Sequence, residues 1–139
     1  MRDAKRDANV KWVGLALSIL VAAPLAAQGY GQSMAIGYGE IFVGESLNTM
    51  APGYVYVYEG DGSGAWSESQ RLEASNSADG DHFGRALAFT GDHLLVGSTT
   101  LETIYVFEKD GSGAWRESQT LQASDGTEGD YIVRMAATD

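Results

Sequence analysis

Val57-Tyr58-Glu59-Gly60-Asp61-Gly62-Ser63-Gly64-Ala65-Trp66-Ser67-Glu68-Ser69-Gln70 is a stretch that this chain states twice. It returns as Val106-Phe107-Glu108-Lys109-Asp110-Gly111-Ser112-Gly113-Ala114-Trp115-Arg116-Glu117-Ser118-Gln119, displaced by 49 residues. The register holds further on, where Leu72, Ala74, Ser75, Gly80 and Asp81 recur as Leu121, Ala123, Ser124, Gly129 and Asp130. Recurrence at a fixed offset means one supersecondary unit of about fifty residues used repeatedly, and a period of that size signals a propeller or an array.

Upstream of the duplicated stretch, the runs Met34-Ala35-Ile36 and Ile41-Phe42-Val43-Gly44 are joined by Gly37-Tyr38-Gly39-Glu40. Their later counterparts are Leu87-Ala88-Phe89 and Leu94-Leu95-Val96-Gly97, joined by Thr90-Gly91-Asp92-His93. Here the offset is 53, because the connection from Glu45 to Gly53 outruns that from Ser98 to Thr103. Insertion in a connection while the flanking runs keep their pattern is loop variation. The spacing predicts four strands per unit: in the second copy Arg85–Thr90, His93–Gly97, Thr103–Glu108 and Glu117–Gln122. The run His93–Gly97 is nearly all apolar, which predicts burial on both faces. Asp110-Gly111-Ser112-Gly113 supplies the positive φ angles of a tight hairpin. Val55 and Val57 alternate with Tyr54, Tyr56 and Tyr58, so one sheet face carries aromatics and the other β-branched side chains. Four strands with short antiparallel connections make one propeller blade. The expected fold is all-β: about two four-stranded antiparallel blades of an incomplete propeller, one over residues 28–82 and one over 83–139. The second range ends in the truncated start of a third unit, Ile132–Ala137.

The first 27 residues read as an export signal. Arg2, Lys5, Arg6 and Lys11 make a basic start, Val13–Ala23 an apolar run, and Pro24-Leu25-Ala26-Ala27 a small-residue exit with the favoured cut after Ala27. The competing reading is a retained anchor, but the run is shorter than the roughly 18–20 residues that span a bilayer, and Pro24 breaks it. These residues hold four of the nine Lys/Arg and two of the nineteen Asp/Glu, so the remainder carries five cations against seventeen anions. That balance opposes nucleic acid and anionic membrane surfaces and suits a soluble exterior domain. The chain has no cysteine, so its core must hold without disulfides, and thiol chemistry is excluded.

Gly80-Asp81-His82-Phe83-Gly84-Arg85-Ala86-Leu87-Ala88, followed by Gly91-Asp92-His93-Leu94-Leu95-Val96-Gly97, resembles an FG-GAP repeat, the unit of integrin α-chain heads and of many bacterial exported proteins. The bacterial branch shares the Val-Tyr-Val-Phe strand and the Asp-Gly-Ser-Gly-x-Trp hairpin. The resemblance implies a β-propeller at the cell surface or outside it. Phe83-Gly84 becomes Ile132-Val133 in the last copy, and the Gly-Ala-Pro position reads Gly97-Ser98-Thr99 and Gly44-Glu45-Ser46. The integrin-type calcium loop between strands one and two is reduced here to Thr90-Gly91-Asp92-His93, too few oxygen ligands for a six- to eight-coordinate cation. The family's calcium site is not carried over and no cofactor is expected; calcium at the acidic loop around Asn76, Asp79 and Asp81 stays as the alternative.

Among candidate site residues, Trp66 and Trp115 are read either as a sugar- or partner-binding platform or as rings packed between neighbouring blades; their recurrence favours packing. Asp61 with Ser63, and Asp110 with Ser112, fit turn chemistry better than a cation site. Asn76, Asp79 and Asp81, with counterparts Asp125, Glu128 and Asp130, form a denser acidic loop without the ligand spacing of an EF-hand. His82 and His93 recur in no other copy, and nothing beside Asp81 or Asp92 marks an activated serine. Gly60–Gly64 lacks the Lys and helix of a phosphate loop. No catalytic, cofactor or metal residue is assigned, and the ligand-binding residues stay unknown. The expected function is a non-catalytic, exported module for protein or carbohydrate recognition or scaffolding, a piece of a longer propeller or one that self-associates through open blade edges. The alternatives are a calcium-dependent cell-adhesion head and, behind it, part of a propeller enzyme.

Overall fold

The computed structural model describes residues 29–37, 39–126, 132 and 134–137; the expected export signal lies outside them. Eight strands follow in order: β1 (Tyr30–Gly37), β2 (Glu40–Glu45), β3 (Tyr54–Gly60), β4 (Trp66–Leu72), β5 (Phe83–Phe89), β6 (His93–Ser98), β7 (Thr103–Lys109) and β8 (Trp115–Gln122). They form two four-stranded antiparallel sheets, ordered β1-β2-β3-β4 and β5-β6-β7-β8. This is the expected all-β pair of blades, with no helix among the described residues. The two sheets repeat even their irregularities. The register slips between Tyr30 and Ser33 in one and between Phe83 and Ala86 in the other, and again at Val57/Tyr58 and Val106/Phe107. The first strand of each unit starts earlier than its apolar run, at Tyr30 and Phe83, because the bulge lets a non-alternating segment join the ladder. Ile132 and residues 134–137, the expected start of a third unit, run without strand pairing.

In β3, Val55 and Val57 are fully buried while Tyr54, Tyr56 and Tyr58 are half-buried on the other face. The valine face of the first sheet meets β5, which lies against β1, β2 and β3. Phe42, Val55, Val57 and Leu72 from the first sheet and Phe83, Leu87, Phe107 and Trp115 from the second form one core. Each fully buried side chain of this size contributes about 1.5–3 kcal/mol relative to exposure. In β6, Leu94 and Val96 are buried but His93 and Leu95 are only half-buried, so the expected burial on both faces holds for one side of the strand.

The sheets meet closely enough for backbone to touch backbone. Phe83 N–H donates to the Pro52 carbonyl at 2.9 Å and Gly80 N–H to that of Ala51 at 3.0 Å. The Gly84 carbonyl accepts from the Ser33 hydroxyl at 2.6 Å. A Cβ on Gly84 would stand 2.7 Å from the Tyr54 carbonyl oxygen, and Gly84 has φ of +83°. Gly31 holds the equivalent place in β1, with φ of +78° and nothing within 4 Å of an added Cβ. Both positions carry the roughly 1–2 kcal/mol cost of a side chain in the left-handed region, but only Gly84 adds a clash. Gly84→Ala is therefore expected to lower unfolding free energy by about 1–3 kcal/mol more than Gly31→Ala, the range of core overpacking. Urea denaturation of the two variants checks the difference.

Candidate functional site

The short turns β1–β2 and β5–β6 and the hairpin tips β3–β4 and β7–β8 lie at one end of the sheets, and between the sheets at that end is a cleft of about 440 Å³. Glu40 from β2, Phe89 from β5, Asp92 from the β5–β6 turn, His93 from the start of β6, Glu108 and Lys109 from β7, and Trp115 from β8 line it. At its floor Trp115 is 3% exposed. Its ring packs edge-on against Phe42 and Phe89, with centroids 5.4 and 6.0 Å away. Its indole N–H donates to Glu40 Oε1 at 3.2 Å, and the Lys109 ammonium reaches the same oxygen at 3.0 Å. A carboxylate this buried needs such partners, since an unpaired one would cost several kcal/mol. Lys109 also stands over the Trp115 ring, 5.4 Å from its centre.

His93 Nε2 lies 3.0 Å from Glu108 Oε1, so the pairing with Asp92 weighed from sequence is not formed. Thr90 Oγ1 is 3.5 Å from His93 Nδ1 and also bonds the His93 backbone. That is turn closure, and its long contact gives no activated nucleophile. His82 has φ of 57° and donates from Nδ1 to the Ser46 carbonyl of the first sheet. Asp81 accepts instead from Ala78 N–H at 2.6 Å. His82 bonds to the first sheet and His93 to Glu108 of the neighbouring strand, while Asp92 lines the same cleft as His93.

The hairpin tips are built alike. Asp110 Oδ1 accepts from Ser112 N–H at 2.8 Å, Ser112 Oγ at 2.6 Å and Ala114 N–H at 3.1 Å, while Oδ2 meets Arg116 Nε at 3.2 Å. Asp61 makes the corresponding bonds to Ser63 and Ala65. The Ser112 hydroxyl, its backbone N–H and Arg116 hold the Asp110 carboxyl far below the usual carboxylate range, and Ser63 lowers that of Asp61. In the acidic loop, Asn76 Oδ1 is taken by the Tyr105 hydroxyl at 2.8 Å. Among the described residues no three His, Cys, Asp or Glu side chains converge as a metal site.

The two tryptophans part company. Trp115 packs between the sheets, whereas Trp66 lies over Gly60 on the outer face and is 47% exposed. Sequence reasoning missed the polar couplings that join the sheets. The Gln70 amide donates to the Trp115 carbonyl at 2.8 Å and accepts from its N–H at 2.9 Å. Glu117 accepts from Ser75 N–H at 2.8 Å and Ser75 Oγ at 2.9 Å. Their signal was present, since Gln70, Ser75 and Glu117 all have identical counterparts in the other copy: Gln119, Ser124 and Glu68.

Comparison with known proteins gives a matching segment. Residues 66–114 match the family model of the FG-GAP repeat. No curated protein and no solved structure matches the chain. The matched segment begins with β4 of the first sheet and ends past β7 of the second. The matched segment is thus out of phase with the sheets and spans parts of both.

The Asp110 tip yields a pH prediction. A folded-state pKa below the unfolded value of about 3.9 stabilises the tip above that pH, and the contribution is lost as pH falls through the lower folded value. Carboxyl NMR titration is expected to show Asp110 titrating below Asp61. Arg116→Ala should move Asp110 upward and leave Asp61 unchanged.

Proposed function

We propose that this chain, built on an FG-GAP repeat, is a non-catalytic propeller-type module exported to the cell exterior, where it serves recognition or scaffolding of protein or carbohydrate. The observation that carries this reading is the stacking of two copies of the repeat as blades, with Glu40, Gln70 and Glu117 joining blade to blade. Asp61 and Asp110 fix the hairpin tips. At one end of the sheets the tips so fixed surround the cleft floored by Trp115. A scaffold that fixes short loops on packed sheets suits binding. The acidic balance of the residues beyond the leader favours partners rich in hydroxyl or cationic groups over nucleic acid.

Expression from its own leader in a bacterial host with a periplasm tests the reading. The expected result is an exported product whose intact mass begins at Gln28, and which binds an immobilised glycan or envelope protein saturably with and without millimolar calcium. Retention of Met1 in the cytosol overturns export. Binding abolished by a chelator returns the calcium-dependent adhesion head, and absence of binding to either class of ligand overturns recognition.

A further inference from the structure

The internal contact between the sheets is a template for a second one. Counterparts in the two copies sit at equivalent places in equivalent sheets, so each outward face can be compared with the inward face that resembles it. On the second sheet Phe83, Leu87 and Trp115 are buried against the first. Their counterparts on the first sheet, Tyr30, Met34 and Trp66, are 45, 59 and 47% exposed, and Ile36, the counterpart of Phe89, is 71% exposed. On the first sheet Val55 and Leu72 are buried, as is Ala74 just beyond β4. Their counterparts Ile104, Leu121 and Ala123 line an apolar hollow of about 370 Å³ on the second sheet, with Leu121 45% exposed.

The polar couplings are duplicated with the apolar ones. Gln70 spans the backbone N–H and C=O of Trp115; its counterpart Gln119 is exposed, and so is Trp66. Glu117 receives Ser75; the counterparts Glu68 and Ser124 are both exposed. Among the described residues, two apolar faces and two sets of hydrogen-bonding groups therefore stand open in the chemistry that the molecule already uses once.

We propose that a second copy of this chain docks head to tail, laying the Met34, Ile36 and Trp66 face of its first sheet on the Ile104 and Leu121 face of the second sheet. Gln119 then bridges the partner's Trp66 backbone, and Ser124 donates to the partner's Glu68. The surface is heterologous, so successive copies extend into a closed ring or an open array according to the angle between them. The new contact is weaker than the internal one for two reasons. The Glu40–Lys109 pair has His93 and Gly60 as its counterparts. In addition, Ile132 and Met135 stand against Gly97, on ground that the incoming β1 takes. Association is accordingly concentration-dependent, and it does not rest on export or on any ligand.

Sedimentation of the full chain from micromolar to millimolar concentration is expected to show mass rising above the monomer. Ile36→Asp and Leu121→Asp, each at an exposed site, should stay folded by circular dichroism and sediment as monomers. Mixed in equal amounts they should form a one-to-one dimer that grows no further, because each variant keeps the face the other lacks. Gln119→Ala, an exposed polar change that spares the core, should weaken association about ten-fold. A wild-type chain that stays monomeric overturns the proposal. So does a Leu121→Asp variant that self-associates like the wild type, since the first face would then meet itself, and so does association that vanishes when residues 1–27 are absent.

Discussion

Neither four-stranded sheet can keep both of its faces from water, and the whole arrangement follows from how one face is covered. The valine side of β3 and the Phe42 ring of β2 are closed by β5 and by the indole of Trp115. Repeat proteins gain their stability in this way, each unit supplying the burial that its neighbour lacks. The close approach at Gly44 and Gly84 lets Ser33 reach a backbone carbonyl of the other sheet. The buried Glu40 carboxylate is tolerable because the indole N–H and Lys109 converge on one of its oxygens.

The same residue type in the same place of the repeat has two fates, decided by what lies beside it. Trp115 and Trp66 both open the fourth strand of a sheet, yet one is sealed and the other half bare. Tyr56 occupies the place of Tyr105. Tyr105 donates across the sheet contact to Asn76, whereas Tyr56 donates within its own sheet to Glu45 Oε2 at 2.6 Å. Burial and the Glu45 carboxylate push the Tyr56 hydroxyl up to about 12, which keeps it a donor. The repeat encodes a surface that fits its own reverse side, and the environment completes it only where a neighbour is present.

Much of this architecture was legible because a repeat is a comparison the chain makes with itself. The offset of 49 between the tryptophan hairpins placed β3, β4, β7 and β8, and the alternation in Tyr54–Tyr58 identified the inward valine face. The early starts of β1 and β5 were not legible, since the bulges after Tyr30 and Phe83 break the period of two that marks a strand. The tips were read correctly as turn chemistry, because Asp followed two residues on by Ser is sufficient for the local bonds seen at Asp61 and Asp110. The cleft was not foreseen. Its walls come from Glu40, Phe89 and Lys109, which are far apart in sequence and meet only once the sheets stack. His93 was singled out as unique, but its partner Glu108 comes from the neighbouring strand by register, not from the adjacent Asp92.

Everything else follows from the two repeats lying face to face with the Trp115 indole between them. A nuclear Overhauser spectrum of the folded chain addresses this contact without perturbing it. Cross-peaks from the Trp115 ring to the rings of both Phe42 and Phe89 are the predicted result, given centroid separations of 5.4 and 6.0 Å. A spectrum in which Trp115 shows contacts to its own sheet but none to Phe42 would contradict the account.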